Sequence, residues 1–518
     1  MERTDAVYDV IIVGAGMAGC ILAAKLIKRG INPRTGEPLR IALIEAGPYL
    51  GGPARPGYGI PLRRQIFTNI RSEDSHKLPL VWPWGDGRLV GGSTFHWQAI
   101  VGLPTETEFA AWRNETGVDW SAELFEDALS EVKQVLNIHP APDEALYEGQ
   151  RRFREVSRKM GYEVRQLDHA RKNCFYCGYC GEHQYCRYDA RSSPAFSYLP
   201  GAEKLGVKVI PDAEVERVII EKTGKRAIAR GVWYGHGSSA KRVLADKIIV
   251  SCGTFGSSVL LKRSGYGPKE EIGIDLVVEN PNIGKHVDAH PSGSMVGAYF
   301  DDPIKETNFG SVPGCYFFIE SNANGDDRLI VTDGMGEMAY PDQMALSEFA
   351  PEFGQGHKRF MRMASSRLGA IYLYVAKPKS VRGQISRDGV ISYEVSHPSI
   401  FKKLQEGEVI AREILQKMGA RRVSPPAVQQ SSTLIQTRSQ GQAAMEGGTG
   451  HEVGSCRAGV EPATSVVNAN FESHDVEKLL ICDGSVIPRV ASIGCGATVA
   501  SVAVFAANRM IANHFTRA

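Results

Sequence analysis

Apolar residues near the start of the chain form two short runs separated by an amphipathic stretch. The run from Tyr8 to Val13 is rich in β-branched residues and predicts a buried strand of a parallel sheet. The following segment, CILAAKLIKRG, has helical spacing and ends at Gly30, which is a typical helix stop. A second apolar run, from Arg40 to Glu45, predicts the next strand. Strand, helix and strand in this order predict an α/β fold of the Rossmann type.

Longer patterns follow in the rest of the chain. Residues 105–160 have the spacing of amphipathic helices, and residues 292–440 mix β-rich runs such as GAIYLYVA with the helical segment KKLQEGEVIAREILQKMGA. The last apolar run, ATVASVAVFAA, is shorter than the roughly 20 residues that a bilayer span requires. We therefore expect it to be a buried helix, and we expect no membrane span.

A glycine-rich turn joins the first predicted strand to the first helix. In Gly14-Ala-Gly16-Met-Ala-Gly19, the first glycine permits a tight turn, the second lets the backbone approach a pyrophosphate, and the third lets helix and strand pack closely. Glu45 ends the second strand with an acidic side chain suited to a ribose hydroxyl, and the loop INPRTGEPLR explains its longer separation from the glycines. The pattern favours a dinucleotide site, and the alternative is a glycine turn without a ligand.

Two further stretches favour FAD as the dinucleotide. One is GRLVGGSTFHW, which begins at Gly87, and the other is LLICDGSVIP, which is followed by a helix of small residues. In the second stretch a strand ends at Asp483, a turn follows, and the helix that contains Thr498 begins. The positive end of that helix suits the electron-rich edge of a flavin.

Several motifs in a fixed order resemble those of the glucose–methanol–choline (GMC) oxidoreductases. They are GAGMAG, GRLVGGSTFHW, SCGTFGSSVLLKRSG, NIGKHVDAHP, HEVGSCRAG and DGSVIP, and they run nearly from end to end of the chain. The resemblance is nearest to the branch of gluconate and other sugar dehydrogenases, with pyranose oxidases as neighbours. It implies a discontinuous FAD-binding domain, interleaved with a substrate domain built on an antiparallel sheet with helices. The expected boundaries are 1–104, 200–291 and 441–518 for the FAD-binding domain, and 105–199 and 292–440 for the substrate domain.

The resemblance also implies which residues bind FAD. They are Gly14, Gly16, Gly19, Glu45, Arg88, Gly91, Gly92, Ser93, His96, Trp97, Val215, Asp483, Gly484 and Thr498. Val215 lies in IPDAEVERVII, which resembles the strand that touches the adenine in these proteins. His96 falls where pyranose oxidases carry a histidine bonded covalently to FAD, and the alternative is a histidine packed beside the flavin without a bond.

Oxidation of an alcohol requires a base for the hydroxyl proton, and histidine suits that role. The chain has 13 histidines, and composition does not choose among them. The resemblance implies His451, in HEVGSCRAG, as the catalytic base; the alternative is a loop histidine bonded to backbone. The family usually supplies a second polar side chain after the DGS turn, but counting forward reaches Gly494 and Cys495, neither of which replaces it well. We expect His286 and His290 to lie nearer the surface of the flavin domain, without a catalytic role.

Four cysteines are concentrated in the loop at 173–187. Their spacing is C-x2-C-x2-C-x5-C, from Cys174 and Cys177 to Cys180 and Cys186. Cysteines separated by two residues are typical of iron–sulfur ligation, although Arg187 stands where a plain ferredoxin motif has proline. Related dehydrogenases carry such a cluster near the flavin, and the resemblance favours a 3Fe–4S or 4Fe–4S cluster in which Cys186 is the least certain ligand. Zinc, disulfides or free thiols are the alternatives.

Composition and charge limit the other functions. With 518 residues the chain exceeds one compact core, and a net charge of +2 without long charge runs does not favour nucleic acid or anionic membranes as partners. No signal peptide is visible, so we expect a cytoplasmic protein; export as a complex to the periplasm with a partner that carries the signal is the alternative.

Three functions fit these observations. The first is an FAD-dependent dehydrogenase that oxidises a hydroxyl of a sugar, glycoside or polyol and passes electrons through the cluster to an acceptor, such as a small subunit or a cytochrome. The second is an oxidase that uses oxygen and has a structural cysteine site. The third is a flavin-bearing electron-transfer subunit that lacks the full catalytic pair.

Overall fold

The structure is a computed structural model of the whole chain. It describes residues 7–50, 67–68, 71–72, 86–95, 97–176, 186, 188–235, 237, 240–305, 314–321, 327–334, 354–376, 381–395, 399–424, 449–491 and 493–516. The strands are β1 Val7–Val13, β2 Ile41–Ile44, β3 Phe67–Thr68, β4 Arg71–Ser72, β5 Asp86–Gly87, β6 Ile100–Val101, β7 Ile138–Pro140, β8 Arg165–Gln166, β9 Asp168–Ala170, β10 Lys208–Ile210, β11 Val215–Thr223, β12 Arg226–Tyr234, β13 Lys241–Val250, β14 Tyr266–Gly267, β15 Val278–Glu279, β16 Asp288–Phe300, β17 Cys315–Ile319, β18 Arg328–Asp333, β19 Leu368–Ala376, β20 Val381–Ile385, β21 Val390–Val395, β22 Ala420–Val423, β23 Thr449–Val453 and β24 Leu479–Ile481. The helices are α1 Met17–Arg29, α2 Glu106–Thr116, α3 Ala122–Val135, α4 Glu148–Lys159, α5 Pro194–Ser197, α6 Leu199–Lys204, α7 Gly253–Arg263, α8 Lys269–Ile272, α9 Gln355–Arg367, α10 Ser399–Lys417 and α11 Gly496–His514.

The first sheet has a parallel centre and an antiparallel edge. Among the described residues its strands follow the order β10-β2-β1-β13-β12-β11, and β24 also pairs with β13. The pairs β10–β2, β2–β1, β1–β13 and β13–β24 are parallel, whereas β13–β12 and β12–β11 are antiparallel. Because the carboxyl ends of β1, β2 and β24 meet at one edge, the loops that follow these strands form a common rim.

Helices α1 and α11 pack against each other and belong to the same core as the first sheet. The apolar run in α11 consists largely of small residues, which let the two helices approach closely. Both helices are buried over most of their length. The predicted elements at residues 8–13, at CILAAKLIKRG, at 40–45 and at ATVASVAVFAA are confirmed, with shifts of a few residues at their ends. None of the helices in the described ranges is long and apolar enough to cross a bilayer.

The second sheet is antiparallel. Its described strands follow the order β22-β16-β19-β18-β17-β8, and β23 also pairs with β16. Apolar residues alternate along β18 and β19, so that Leu329, Val331 and Leu373 face the helix α10 and form a second core with it. The opposite face carries Ile330 and Tyr374. One face of this sheet is therefore covered by a helix, and the other is turned toward the loops of the first sheet.

Helices α2 and α3 fall in the part of the chain expected to form the substrate domain, yet they pack on the first core. Phe109, Trp112 and Phe125 are fully buried there, and Phe125 stacks on Phe505 of α11 with ring centroids 4.1 Å apart. Helix α4, by contrast, contributes Phe153 to the second core. The domain boundaries stay a prediction.

Candidate functional site

The glycine turn after β1 has two crowded positions and one open position. Gly14 has φ +98°, and a Cβ there would lie 2.3 Å from the carbonyl oxygen of Ser251. A Cβ on Gly19 would lie 1.9 Å from the carbonyl oxygen of Gly14. A Cβ on Gly16 would meet no atom within 4 Å. Packing of the protein thus explains the first and third glycines, whereas the second borders open space in which a ligand can approach the backbone.

Glu45 ties the second strand to this turn. Its carboxylate accepts hydrogen bonds from the Ala15 N–H at 2.9 Å and the Gly47 N–H at 3.0 Å. Burial raises the pKa of Glu45 to about 7. Each carboxylate oxygen keeps a further lone pair, which is what a ribose hydroxyl requires. The Ala213 N–H donates to the Glu45 carbonyl at 2.8 Å, and this contact brings Val215, the first residue of β11, to the same rim.

The loop that contains GRLVGGST lies directly on the glycine turn. The Gly91 N–H donates to the Ala15 carbonyl at 2.7 Å, and a Cβ on Gly92 would lie 3.0 Å from the Cα of Gly16. Ser93 Oγ accepts from the Gly87 N–H at 2.9 Å, which closes the loop on itself. In the same loop Arg88 forms an ion pair with Glu214, the residue before β11. His96, the candidate for a covalent bond to FAD, lies outside the described residues.

The N-terminus of α11 faces this loop and offers unpaired polar atoms. A Cβ on Gly496 would lie 2.5 Å from the ring of Trp97, so the tryptophan packs against the first turn of the helix. Trp97 Nε1 and Thr498 Oγ1 are buried without a hydrogen-bond partner among the described residues. Buried donors rarely stay unpaired, and a flavin ring carries the oxygens and nitrogens that pair with them. The residues at this rim therefore fit a bound FAD.

The DGS turn is held from inside the protein. Asp483 accepts hydrogen bonds from the Gly253 N–H at 2.9 Å, from the Ser257 hydroxyl at 2.5 Å and from the Ser485 N–H at 2.7 Å. Burial raises the pKa of Asp483, and the three donors oppose that rise. A Cβ on Gly484 would lie 3.0 Å from Thr254 Oγ1. These contacts fix the turn that precedes α11 to the first turn of α7.

His451 stands at a β-bulge. In the pairing of β16 with β23, Asp288 is opposite Val453 and His290 is opposite Gly450, so two residues of β23 face one residue of β16. His451 is one of the two, with φ +64°, a left-handed conformation that is uncommon for residues other than glycine. Bulges re-aim side chains and are frequent beside active sites. Here the bulge turns His451 toward its neighbour on β16.

That neighbour is His290, and its position corrects the expectation from sequence. His290 does not lie near the surface: it is 2% exposed, and its Nδ1 lies 3.0 Å from Nδ1 of His451. The two rings are nearly perpendicular, with centroids 5.1 Å apart. The other ring nitrogen of His290 lies 2.7 Å from the carbonyl oxygen of Ala491.

His286 is partly buried and contacts Asn282. The motif NIGKHVDAHP offered no signal that separates the roles of its two histidines.

Both histidines of the pair are held in the neutral form. Burial lowers the pKa of His290 well below its ordinary value. Enclosure by the protein lowers the pKa of His451 to about 4. His451 is nevertheless exposed to solvent, and contact with water opposes this decrease of its pKa. A neutral imidazole with access to the cleft is the form that accepts a proton.

Gly494 lies next to Nε2 of His451, for which no hydrogen-bond partner occurs among the described residues. A Cβ at Gly494 would lie 3.2 Å from His451 Nε2 and 3.2 Å from the carbonyl oxygen of Ile100. Tyr316 and Tyr374, on the face of the second sheet opposite α10, belong to the same small cluster as Ile100 and Ile493. His451 therefore lies between the residues that precede α11 and the aromatic face of the antiparallel sheet, which carries Tyr316 and Tyr374.

The cysteine loop is described only at its two ends. Cys174 Sγ accepts hydrogen bonds from the Tyr176 N–H at 3.4 Å and from Arg171 at 3.6 Å, and Cys186 Sγ accepts from the Ala190 N–H at 3.3 Å. The other two cysteines of the motif, Cys177 and Cys180, lie outside the described residues. Within the described ranges no group of three or more metal-binding side chains occurs.

Comparisons with known proteins agree with this geometry. Family models described as GMC oxidoreductase match residues 8–292 and 391–504. An uncharacterised GMC-type oxidoreductase of Mycobacterium tuberculosis is 23% identical, over 97% of this chain and 76% of the relative. An alcohol dehydrogenase (acceptor) of Pseudomonas putida is 24% identical, over 97% of this chain and 96% of the relative. The crystal structure of pyridoxine 4-oxidase from Mesorbium loti has the same fold, with a TM-score of 0.71, 18% identity and coverage of 98% of this chain and 99% of that one.

Proposed function

The chain belongs to the GMC oxidoreductase family, a family of flavoproteins that act on alcohols, and from this premise we propose that it is an FAD-dependent dehydrogenase of a sugar, glycoside or polyol. The observation that carries the proposal is the neutral imidazole of His451, which stands at a bulge with its Nε2 facing the cleft beside Gly494.

His451 takes the hydroxyl proton of the substrate at Nε2. Bound FAD would supply the acceptor for the hydride, which leaves the carbon that carries this hydroxyl. Gly16 would leave the backbone accessible to the pyrophosphate, and Gly92 packs on Gly16 from the neighbouring loop. Glu45 would accept a hydrogen bond from the ribose, and Trp97 and Thr498 would donate hydrogen bonds to the flavin. These roles rest on the open space at Gly16, on the lone pairs of Glu45 and on the unpaired buried atoms at the N-terminus of α11.

The aromatic wall supports a polyhydroxylated substrate. Tyr316, Phe318 and Tyr374 lie on the same face of the antiparallel sheet, and Tyr374 packs on His290, the neighbour of His451. Tyrosine combines an apolar ring with a polar hydroxyl, and a sugar likewise combines C–H faces with hydroxyls. The named relatives include an alcohol dehydrogenase, so other alcohols belong in the test.

We further propose that Cys174, Cys177, Cys180 and Cys186 bind an iron–sulfur cluster. N–H···S contacts at both described cysteines are the kind that tune such clusters. The guanidinium of Arg171 is one of these donors, at 3.6 Å from Cys174 Sγ. Such a cluster supplies a path for single electrons, which suits a dehydrogenase that passes electrons to an acceptor protein.

Anaerobic reduction of the flavin tests the proposed base. D-glucose, D-gluconate, a methyl glucoside, glycerol, 1-dodecanol and pyridoxine are mixed with the wild type, His451→Ala and, as a matched control, His357→Ala on α9. Removal of a general base lowers the rate by about 10² to 10⁴, whereas the control keeps the wild-type rate. An unchanged rate in His451→Ala refutes the base. Failure of every alcohol to reduce the wild-type flavin favours the electron-transfer subunit.

Metal analysis of protein purified without air tests the cysteine site. We expect iron and acid-labile sulfide in a fixed ratio to flavin, both lost in Cys177→Ser and retained in Cys315→Ser, which alters a cysteine of the second core. Zinc, or no metal, refutes the cluster and favours an oxidase that uses oxygen.

A further inference from the structure

His290 is held in one orientation by contacts on both sides of its ring. We propose that His290 is a positioning residue that fixes the proton of His451 on Nδ1 and thereby keeps Nε2 of His451 bare for the substrate. The inference rests on the proposed function and deepens it, because it explains how a base without the family's usual second side chain stays in its active tautomer.

The Ala491 carbonyl determines which nitrogen of His290 carries the proton. A carbonyl oxygen only accepts hydrogen bonds, and it lies 2.7 Å from Nε2 of His290. The proton of His290 must therefore be on Nε2. A neutral imidazole carries one N–H, so Nδ1 of His290 is an acceptor.

The contact between the two rings then determines which nitrogen of His451 carries the proton. Nδ1 of His290 and Nδ1 of His451 are 3.0 Å apart, which is hydrogen-bond distance. Because Nδ1 of His290 accepts, Nδ1 of His451 donates. His451, also neutral, then has no proton on Nε2, the nitrogen that faces Gly494. One backbone carbonyl thus determines the tautomer of both histidines.

The surrounding residues keep this arrangement in place. Tyr374 packs on the His290 ring with centroids 5.0 Å apart. Asp288, two residues earlier on β16 and fully buried, accepts from the Val490 N–H at 3.1 Å. Since Val490 precedes Ala491, this bond holds the carbonyl against β16. The same carboxylate lies 3.5 Å from Arg489.

The arrangement also serves the state after proton transfer. When His451 has taken the substrate proton at Nε2, it is a cation whose Nδ1–H still points at His290. A hydrogen bond from a charged donor is stronger than one between neutral groups. His290 therefore stabilises the protonated base without carrying a charge itself.

Histidine-selective ¹⁵N NMR of the flavin-loaded protein tests the tautomers directly. Signals are assigned by their loss in His451→Asn and His290→Asn. We expect the proton of His451 on Nδ1 with Nε2 bare, and the proton of His290 on Nε2. A proton on Nε2 of His451 overturns the inference, and this result requires no variant to be active.

Two matched variants then separate positioning from a structural role. His290→Leu removes the acceptor, and His290→Asn keeps an acceptor oxygen near the place of Nδ1; both remove the contact with Ala491. We expect mixed tautomers of His451 in His290→Leu, with flavin reduction slower by about 10-fold to 10⁴-fold, the latter being the loss when a triad histidine takes the wrong tautomer. His290→Asn recovers most of the rate and the Nδ1 proton. Equal rates and one unchanged tautomer in both variants overturn the inference.

The proposed function and the inference fail in different ways. An unaltered flavin reduction rate in His451→Ala refutes the role of His451 as the base, whichever tautomer it has. A proton on Nε2 of His451 refutes the positioning role, even where His451→Ala is inactive.

Discussion

Substitution of Gly494 by alanine tests the atom that faces the substrate. The new Cβ would lie 3.2 Å from His451 Nε2 and 3.2 Å from the Ile100 carbonyl oxygen. Favourable contacts between heavy atoms lie at about 3.5–4.0 Å, so both neighbours are too close by a few tenths of an ångström. The Ile100 carbonyl oxygen is part of the backbone of β6, which pairs with β9, whereas Nε2 of His451 belongs to a side chain. We expect the histidine to give way.

The expected decrease in kcat/KM has two causes, both at Nε2 of His451. A displacement of 1 Å in a catalytic group costs about 10² in rate, so a few tenths of an ångström cost a few-fold. In addition, the substrate oxygen must approach Nε2 to about 2.6–3.2 Å, and the methyl group occupies part of that space. Together they predict a decrease of about 10- to 100-fold in kcat/KM. Overpacking of this kind also lowers the free energy of unfolding by about 1–3 kcal/mol.

Anaerobic stopped-flow reduction of the flavin, over a range of concentrations of whichever alcohol reduces the wild type, measures the effect. Gly201→Ala on the short helix α6 is the matched control, because a Cβ there meets no atom within 4 Å. A wild-type kcat/KM in Gly494→Ala, with normal flavin content, means that the substrate hydroxyl does not bind beside Nε2, and the reasoning is then wrong.

Three other predictions follow from the same contacts. At Gly14 φ is +98° and a Cβ would clash with the backbone, so Gly14→Ala should lower the free energy of unfolding measured by denaturation. Gly16→Ala should leave that free energy nearly unchanged and weaken FAD retention, measured by flavin absorbance after dialysis. Because protonated His451 cannot act as the base, log(kcat/KM) should be flat at neutral pH and fall as the pH decreases, with an apparent pKa between about 4 and the ordinary 6.5; an acid limb centred above pH 7 contradicts this. Asp288→Ala removes the acceptor of the Val490 N–H and one ion-pair partner of Arg489, whereas Glu115 stays 3.7 Å from that arginine; it should lower the free energy of unfolding by about 1–3 kcal/mol in chemical denaturation, and an unchanged stability contradicts a role of Asp288 in holding Val490 against β16.

The first strand, the first helix and the last helix were predictable because each follows a local rule. For the first strand and helix, a β-branched run, a glycine turn and helical spacing all lie within 30 residues. The apolar positions in these elements are the ones that are buried in the fold. The turn is a good example: Gly14 and Gly19 are required by contacts of the backbone with Ser251 and with the turn itself. Of the three glycines, Gly16 is the one at which a Cβ would meet no atom within 4 Å, which is consistent with the approach of a ligand expected there from the motif.

The cofactor rim was predictable in part, because the motifs that form it are fixed in order. Glu45, Gly91 and Val215 meet there through backbone contacts that only the folded sheet creates. Packing of α2 and α3 on the first core was not predictable from their amphipathic spacing. That spacing shows that a helix has an apolar face, but it does not show which core the face meets.

The pair of His290 and His451 was not predictable from the chain, because the two residues are 161 positions apart. Their contact depends on the antiparallel register of β16 with β23 and on a bulge at His451. A shift of one residue in that register would turn a side chain to the opposite face of the sheet. The register is determined by long-range packing, and no local pattern encodes it.

Gly494 has a different meaning once this pair is known. From sequence alone, a glycine where the family usually has a polar side chain suggested a weakened catalytic pair. In the structure, the hydrogen-bond partner of His451 lies on the other side of the imidazole, at Nδ1, and the glycine leaves Nε2 accessible. The first-turn N–H groups of α11 begin two residues later and carry partial positive charge next to Gly494, where we propose that the substrate oxygen binds. On our proposal, the fixed tautomer of His451 and the nearby helix N-terminus together take the place of a second side chain at position 494.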